Sequence, residues 1–268
     1  MANNQPIGVF DSGLGGLTVL KELRRALPEE DFVYFGDTGR VPYGSRGSET
    51  VTRYAMEDAA FLQEQQVKYI VAACGTVSSI CGEKLKRELP VPFTGVVEHG
   101  AKAAARQTKN HKVGILGTGA TIRSGAYEAY LKEAVPDIAF YPKACPMFVP
   151  LVENGYVGED NPVTALVAEE YLAPLREAGV DTLILGCTHY PFLRPIIQKV
   201  MGQQVTLVDV GVETAAYVRR QLTEMGLCHT PGGKGNCALY ASDEVDHMSA
   251  FASELLGGEL PPVSRVSL

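Results

Sequence analysis

Short apolar segments alternate with longer segments of helical periodicity along nearly the whole chain, and this alternation limits the possible folds more than any other feature. The short segments are rich in valine, isoleucine and aromatic residues, as β-strands are. Several are apolar at every position, which is typical of parallel strands that helices cover on both faces. The pattern therefore predicts an α/β fold. The predicted strands are residues 7–10, 32–35, 69–73, 93–97, 112–116, 139–142, 182–185, 205–208 and 238–240, and segments of helical spacing include 17–27, 48–66, 77–89 and 161–178.

Two strand ends are alike in sequence, which indicates a fold made of two similar halves. The runs YIVAACGT and TLILGCTH each end an apolar strand at a cysteine that a threonine closely follows. Open parallel sheets bind ligands outside the carboxyl ends of their strands. We therefore expect two α/β lobes, each a mainly parallel sheet flanked by helices, with the active site in the cleft between them. The expected first lobe covers residues 1–97 and 211–268, and the second covers 98–210.

The charge of the chain argues against a nucleic-acid partner. Its 268 residues include 24 Lys and Arg against 31 Asp and Glu, a net charge of −7, whereas phosphate binding needs a basic surface. No apolar run approaches the length of a membrane span. The opening MANNQPIGVF lacks the charged start and apolar stretch of a signal peptide. We expect a cytoplasmic protein without a membrane partner, in which cysteines are mostly reduced.

Cys74 and Cys187 are the strongest candidates for catalysis, because each lies where a strand ends and a helix begins. Backbone N–H groups and the helix dipole at such a position favour a thiolate. One sulfur could remove a proton from a carbon atom while the other delivers a proton to the opposite face. The alternative is that both are ordinary buried residues, as free cysteines often are. Their matching positions favour the catalytic interpretation.

Turns after the first two strands supply candidate ligands for a small substrate. Asp11 and Ser12 precede three glycines in FDSGLGG, where a hydroxyl and backbone N–H groups could bind a carboxylate. Asp11 could also bind an ammonium group or polarise a thiol. The alternative for this segment is a helix-capping turn. Pro42, Tyr43 and Gly44 form a second turn, in which a backbone N–H and the tyrosine hydroxyl are candidate ligands and an ordinary loop is the alternative.

Polar residues follow the strands of the second half as well. Thr188 and His189 come directly after Cys187, and a histidine there could hold a proton near neutral pH and tune the charge of the sulfur. Thr118 and Thr121 lie at another strand-to-helix turn, in GTGATIRSG. This turn lacks the glycine spacing of a dinucleotide site.

Glu153 lies in CPMFVPLVENG, where an acid is either a solvated loop residue or a ligand for an ammonium group. The remaining histidines have no metal-ligand spacing, and the chain contains no HExxH, EF-hand or P-loop motif. We therefore expect neither a metal nor an organic cofactor.

Six segments of the chain resemble the cofactor-independent aspartate/glutamate racemase family, and within it the glutamate racemases. They are IGVFDSGLGGLTVL, YFGDTGRVPYGSR, ACGTVSS, GTGATIRSGAY, CPMFVPLVE and LGCTHYPFLRPII, which together extend over nearly the whole chain. The resemblance implies two α/β domains with the active site between them and neither pyridoxal phosphate nor a metal. It also implies a role in supplying D-glutamate for bacterial peptidoglycan, and it makes a homodimer plausible.

The same resemblance assigns roles to individual residues. It implies that Cys74 acts on the D-enantiomer and Cys187 on the L-enantiomer, with Asp11 near the reacting centre. It places Glu153 near the amino group of the substrate and gives His189 the role of assisting Cys187. The residues implied to bind substrate are Asp11, Ser12, Pro42, Tyr43, Gly44, Gly75, Thr76, Thr118, Thr121, Thr188 and His189.

The chain departs from the family pattern at three positions. Gly75 stands where the family usually has an asparagine whose side chain meets the substrate. His99 replaces a usual proline, and Val210 replaces a usual serine. The effect of Gly75 on substrate preference and rate is therefore left open. The alternatives to a glutamate racemase are an aspartate or broader amino-acid racemase, and an amino-acid-binding homologue with weakened chemistry.

Overall fold

A computed structural model describes residues 3–230, 232–257 and 261–268 of the chain. Its strands are β1 (Ile7–Asp11), β2 (Phe32–Gly36), β3 (Tyr69–Ala72), β4 (Phe93–Gly95), β5 (Lys112–Gly117), β6 (Ala139–Ala144), β7 (Thr182–Leu185), β8 (Thr206–Asp209), β9 (Cys237–Ala241) and β10 (Ser264–Arg265). They form a sheet of spatial order β10-β9-β2-β1-β3-β4 and a second of order β6-β5-β7-β8. All pairings in both are parallel.

Helices connect the strands and cover the sheets. They are α1 (Leu17–Ala26), α2 (Ser48–Glu64), α3 (Gly75–Glu88), α4 (Val97–Gln107), α5 (Gly119–Ser124), α6 (Ala126–Ala134), α7 (Phe148–Glu153), α8 (Pro162–Glu177), α9 (Arg194–Met201), α10 (Val210–Met225) and α11 (Val245–Leu256). The predicted α/β fold of parallel sheets flanked by helices is confirmed. In the part of the chain that the structure describes, no helix is long and apolar enough to span a membrane.

The central strands are apolar throughout because both of their faces are covered. Every residue of β1, β3 and β7 is buried, so their continuous apolar sequences match a two-sided environment. β6 lies at an edge of its sheet and is only partly buried. It extends to Ala144, two residues beyond the predicted strand, since edge strands need no continuous apolar run.

One hydrophobic core joins the two sheets. It contains Val9 of β1 and Ile115 of β5, together with residues of the helices that lie between the sheets, such as Leu20, Ala104 and Val218. Full burial of a valine or leucine side chain contributes about 1.5–3 kcal/mol. The two sheets are therefore held together by apolar packing through the helices between them.

The chain leaves the first sheet after β4 and returns to it for β9, so β5–β8 form a sheet of their own. α4 packs against α6, β7 and β8, while α10 packs against α1. We propose on this basis that the lobes consist of residues 1–97 with 211–268, and of residues 98–210. Residues 1–2, 231 and 258–260 of the proposed first lobe lie outside the described residues.

Candidate active site

A cavity of about 240 Å³ lies at the carboxyl ends of strands from both sheets. Turns that follow β1, β3, β5 and β7 contribute to its wall, as expected for open parallel sheets. Most of the residues that sequence analysis predicted for the site line this one cavity. They are Ser12, Pro42, Tyr43, Gly44, Cys74, Gly75, Thr76, Thr118, Glu153, Cys187, Thr188 and His189.

Cys74 follows β3 and directly precedes α3. Its sulfur lies 3.6 Å from the hydroxyl oxygen of Ser12. Burial and the nearby carboxylate of Asp11 raise the pKa of the Cys74 thiol to about 12, although the backbone N–H of Val77 and the Ser12 hydroxyl act in the opposite direction. Cys74 is therefore protonated at neutral pH in the ligand-free protein.

Cys187 follows β7 and has a different environment. Its sulfur lies 3.8 Å from Nδ1 of His189, and Nε2 of that histidine lies 3.0 Å from Oε1 of Glu153. Burial alone would lower the pKa of His189, but the hydrogen bonds and charges of Cys187 and Glu153 outweigh it and raise this pKa to about 10. His189 is therefore a cation at neutral pH, held between a sulfur and a carboxylate.

Asp11 and Thr121 lie behind the cavity wall rather than in it. One oxygen of the Asp11 carboxylate accepts hydrogen bonds from the backbone N–H groups of Gly13 and Gly16, at 3.1 and 3.0 Å. The other oxygen is buried and has no hydrogen-bond partner among the described residues. Burial raises the pKa of Asp11, and the charge of His189 and three backbone N–H groups counteract part of that increase.

Thr121 supports a residue of the wall. Its hydroxyl lies 3.0 Å from the hydroxyl of Thr118, and its backbone N–H donates to the same Thr118 oxygen at 3.2 Å. Thr118 thus caps the first turn of α5. The Thr118 hydroxyl also lies 3.0 Å from that of Thr76, which links the second lobe to the first beside the cavity.

The hydroxyl of Tyr43 points away from the cavity, although other atoms of the residue line it. It donates to Asp37 and also lies 3.0 Å from Oδ2 of Asp58. Arg40 bonds the same two carboxylates, at 2.5 and 2.9 Å, and also Glu57. This partly buried network fixes the turn that carries Pro42 and Gly44, and it occupies the hydroxyl that the sequence made a candidate ligand.

Comparison with known proteins identifies the family. The family model described as Asp/Glu/Hydantoin racemase matches residues 7–218. The chain belongs to the Asp/Glu/Hydantoin racemase family. A glutamate racemase of Geobacter metallireducens is 48% identical over 262 residues, which cover 98% of this chain and 96% of that protein.

Solved structures agree with this membership in the racemase family. A glutamate racemase isoform of Bacillus anthracis superposes with a TM-score of 0.95 at 36% identity, covering 99% of this chain and 98% of that one. The glutamate racemase of Francisella tularensis, solved in complex with D-glutamate, has a TM-score of 0.90 at 35% identity and covers 98% of each chain. These similarities extend over both sheets.

The apolar part of the cavity wall in this racemase was not predicted from the sequence. Cys145, Pro146, Val149 and Pro150 line the cavity on the segment that runs from β6 into α7. Their one sequence signal is the run CPMFVP, which ends at Pro150, three residues before Glu153. Because α7 runs from Phe148 to Glu153, Val149 and Pro150 belong to the same short helix as the acid that contacts His189.

Proposed function

We propose that the chain interconverts L- and D-glutamate by moving a proton directly at the α-carbon, with Cys74 and Cys187 as the two acid–base groups. One observation carries the proposal. The two thiols, each two residues after the end of a strand of a different sheet, line the same cavity. A bound α-carbon between them would meet one sulfur on each face. The choice of glutamate rests on the racemases that the chain resembles along its full length.

The two sulfurs have different resting roles in this scheme. Cys187, beside the cationic His189, takes the α-proton of L-glutamate as a thiolate. Cys74, which burial keeps protonated, delivers its proton to the opposite face of the carbanion. The reverse reaction begins with the proton on Cys187 and the charge on Cys74. No other atom is exchanged, so proton positions alone distinguish the two directions.

Charge that develops on the substrate carboxylate needs hydrogen-bond donors, because an α-proton is far less acidic than a thiol. The first N–H groups of a helix have no partner within the helix, and α3 begins at Gly75, one residue after Cys74. Thr76 and Thr118 line the cavity next to them, and their hydroxyls lie 3.0 Å apart. Fixed donors in a site poor in water stabilise a transition state strongly, and we assign this role to these groups.

Glu153 and Asp11 complete the proposed machinery. Glu153 holds His189 in its cationic form from the wall of the cavity, and Asp11 acts from behind the wall through its charge on Cys74. We further propose, from the family, that the D-glutamate formed supplies peptidoglycan synthesis in the cytoplasm and that the enzyme is a homodimer.

The test is substitution of each proposed acid–base thiol. Cys74→Ala and Cys187→Ala should each lower racemisation by at least about 100-fold, the minimum typical of losing a positioned acid or base. Cys81→Ala is the matched control, because Cys81 is also buried in α3 but does not line the cavity. Circular dichroism of L-glutamate in deuterated water, with NMR of the α-position, measures inversion and label uptake together. Wild-type activity in either cysteine variant would refute the two-thiol scheme.

Substrate preference is measured in the same assay with aspartate. We expect glutamate to be racemised faster, and a higher kcat/KM for aspartate would instead assign the chain to the aspartate racemases. Calorimetric binding of glutamate without any turnover would support the alternative of a binding protein that has kept the scaffold.

A further inference from the structure

The two turns that carry the thiols touch each other through backbone. Gly75 directly follows Cys74 and is the first residue of α3, while Gly186 directly precedes Cys187. A Cβ atom built on Gly75 would lie only 2.3 Å from the carbonyl oxygen of Gly186. Ordinary contact distances begin at 3.4 Å, so even one methyl group at residue 75 needs a displacement of roughly 1 Å.

That displacement cannot be absorbed by rotating a side chain, because the opposing atom is a backbone oxygen. Gly186 is itself enclosed, since a Cβ atom there would lie 2.4 Å from the backbone oxygen of Leu116. The backbone of Gly186 is also tied to that oxygen, to which its N–H donates a hydrogen bond at 2.9 Å. A side chain at residue 75 would therefore separate the turn that carries Cys74 from the turn that carries Cys187.

At a second contact between the lobes, a glycine of the first lobe again lies close against the second lobe. A Cβ atom on Gly44 would lie 2.8 Å from Cβ of Thr118. Thr118 is linked in turn to Thr76, the next residue after Gly75, by the 3.0 Å contact between their hydroxyls. At Gly44 and Gly75 the first lobe therefore meets the second without a side chain of its own between them, and Thr76 adds a hydroxyl contact beside these two places.

We propose that Gly75 is a positioning residue, whose lack of a side chain sets the separation of the two thiol-bearing turns across the bound substrate. This inference rests on the proposed two-thiol racemisation. The positioning role also means that Gly75 does more than remove a side chain that would bind substrate. The carbonyl of Gly186 fills the space that an asparagine side chain at residue 75 would start from, so Gly75→Asn should not restore a family contact in this chain.

The experiment compares Gly75→Ala with Gly82→Ala. Gly82 lies in the same helix, and a Cβ atom there meets nothing within 4 Å, so this control adds the same methyl group without a clash. Misplacement by about 1 Å at a reacting centre costs up to about 100-fold in rate. We expect Gly75→Ala to lower kcat in both directions by about 10- to 100-fold, with a smaller change in KM, and Gly82→Ala to keep the wild-type values.

A second measurement separates positioning from mere loss of folded protein. In deuterated water, a thiol that has removed the α-proton and lost it to solvent can return deuterium to the same face. When the opposite thiol is displaced, this exchange with retention should increase relative to inversion. The ratio of the two is independent of the amount of folded enzyme, so it remains informative even if thermal denaturation shows that Gly75→Ala is less stable.

Each outcome has a definite consequence. A lower kcat together with a higher ratio of retention to inversion supports the positioning role. Wild-type kcat in Gly75→Ala overturns it, and so does a lower activity with an unchanged ratio, because that result indicates a purely structural effect. If the wild-type enzyme itself does not racemise glutamate or aspartate, it is the proposed function that fails.

Discussion

Replacing Tyr43 by phenylalanine removes a single oxygen atom and tests whether that hydroxyl supports the fold or binds substrate. Tyr43 is 1% exposed, and its hydroxyl lies between the carboxyl groups of Asp37 and Asp58. Both of these side chains are completely buried, so water cannot replace the lost donor. We expect Tyr43→Phe to destabilise the protein and to leave KM nearly unchanged.

The expected loss of stability depends on how many protons the hydroxyl and the two carboxyl groups share. A hydrogen bond to a charged group contributes about 1.5–3 kcal/mol. The hydroxyl carries one proton and faces two carboxyl groups, and burial together with the charge of Asp37 raises the pKa of Asp58 well above its usual value. A protonated Asp58 could donate to Asp37 in the variant and recover part of the loss. We therefore expect a loss of about 2 kcal/mol, which lowers Tm by roughly 3–5 °C at this chain length.

The assay combines urea denaturation with steady-state kinetics for both enantiomers. Tyr156→Phe is the matched control, because Tyr156 is 42% exposed and should change neither quantity. Wild-type stability in Tyr43→Phe combined with a clearly raised KM would refute the reasoning. In that case the hydroxyl would have to turn into the cavity when substrate binds.

Further perturbations test the charges of the site and the core. His189 has a pKa raised to about 10, so the stability it gains from its partners is complete below about pH 6.5 and is lost as pH rises through about 10. Glu153→Gln removes one of those partners, so the alkaline decline of kcat/KM should move from near pH 10 to lower pH. If the decline stays at the same pH, it does not report the titration of His189. Lys68→Met should cost about 3–5 kcal/mol in urea denaturation, because it leaves the buried Glu30 without its cation at 2.6 Å, and a loss below about 1 kcal/mol would contradict this. Activity should survive exhaustive dialysis against a chelator, and loss that zinc or magnesium restores would show a metal requirement.

The strands and the positions of the thiols could be predicted because they depend on local sequence. Continuous apolar runs identify strands covered on both faces, and in parallel sheets such as these a residue directly after a strand lies at the ligand-binding edge. Cys74, Cys187 and Thr118 could therefore be expected at one region from their sequence positions alone, and all three line the cavity. The start of α3 was predicted two residues late, at residue 77, because Gly75 and Thr76 add nothing to an apolar period.

Side-chain directions were less predictable, because partners distant in sequence determine them. Asp11 could have faced the cavity, but two backbone N–H groups of its own turn hold one carboxylate oxygen behind the wall. Tyr43 turns its hydroxyl toward Asp58, fifteen residues later in the chain. The contact of Gly75 with Gly186 joins the two lobes, and no local pattern could have indicated it.

The two halves of the site have similar strand ends but control their protons differently, and thermodynamics limits where that difference can appear. Cys187 has a cation within hydrogen-bonding range, whereas Cys74 has a hydroxyl and a buried carboxylate behind it. The ligand-free enzyme should therefore be set to accept the L-enantiomer, and acting on the D-enantiomer first requires the proton to leave Cys74. Because enantiomers have equal free energies, kcat/KM must be the same in both directions whatever the enzyme favours. The asymmetry of the site can therefore change kcat and KM between the two substrates only in proportion to each other, so that their ratio stays the same. We expect the lower KM for L-glutamate.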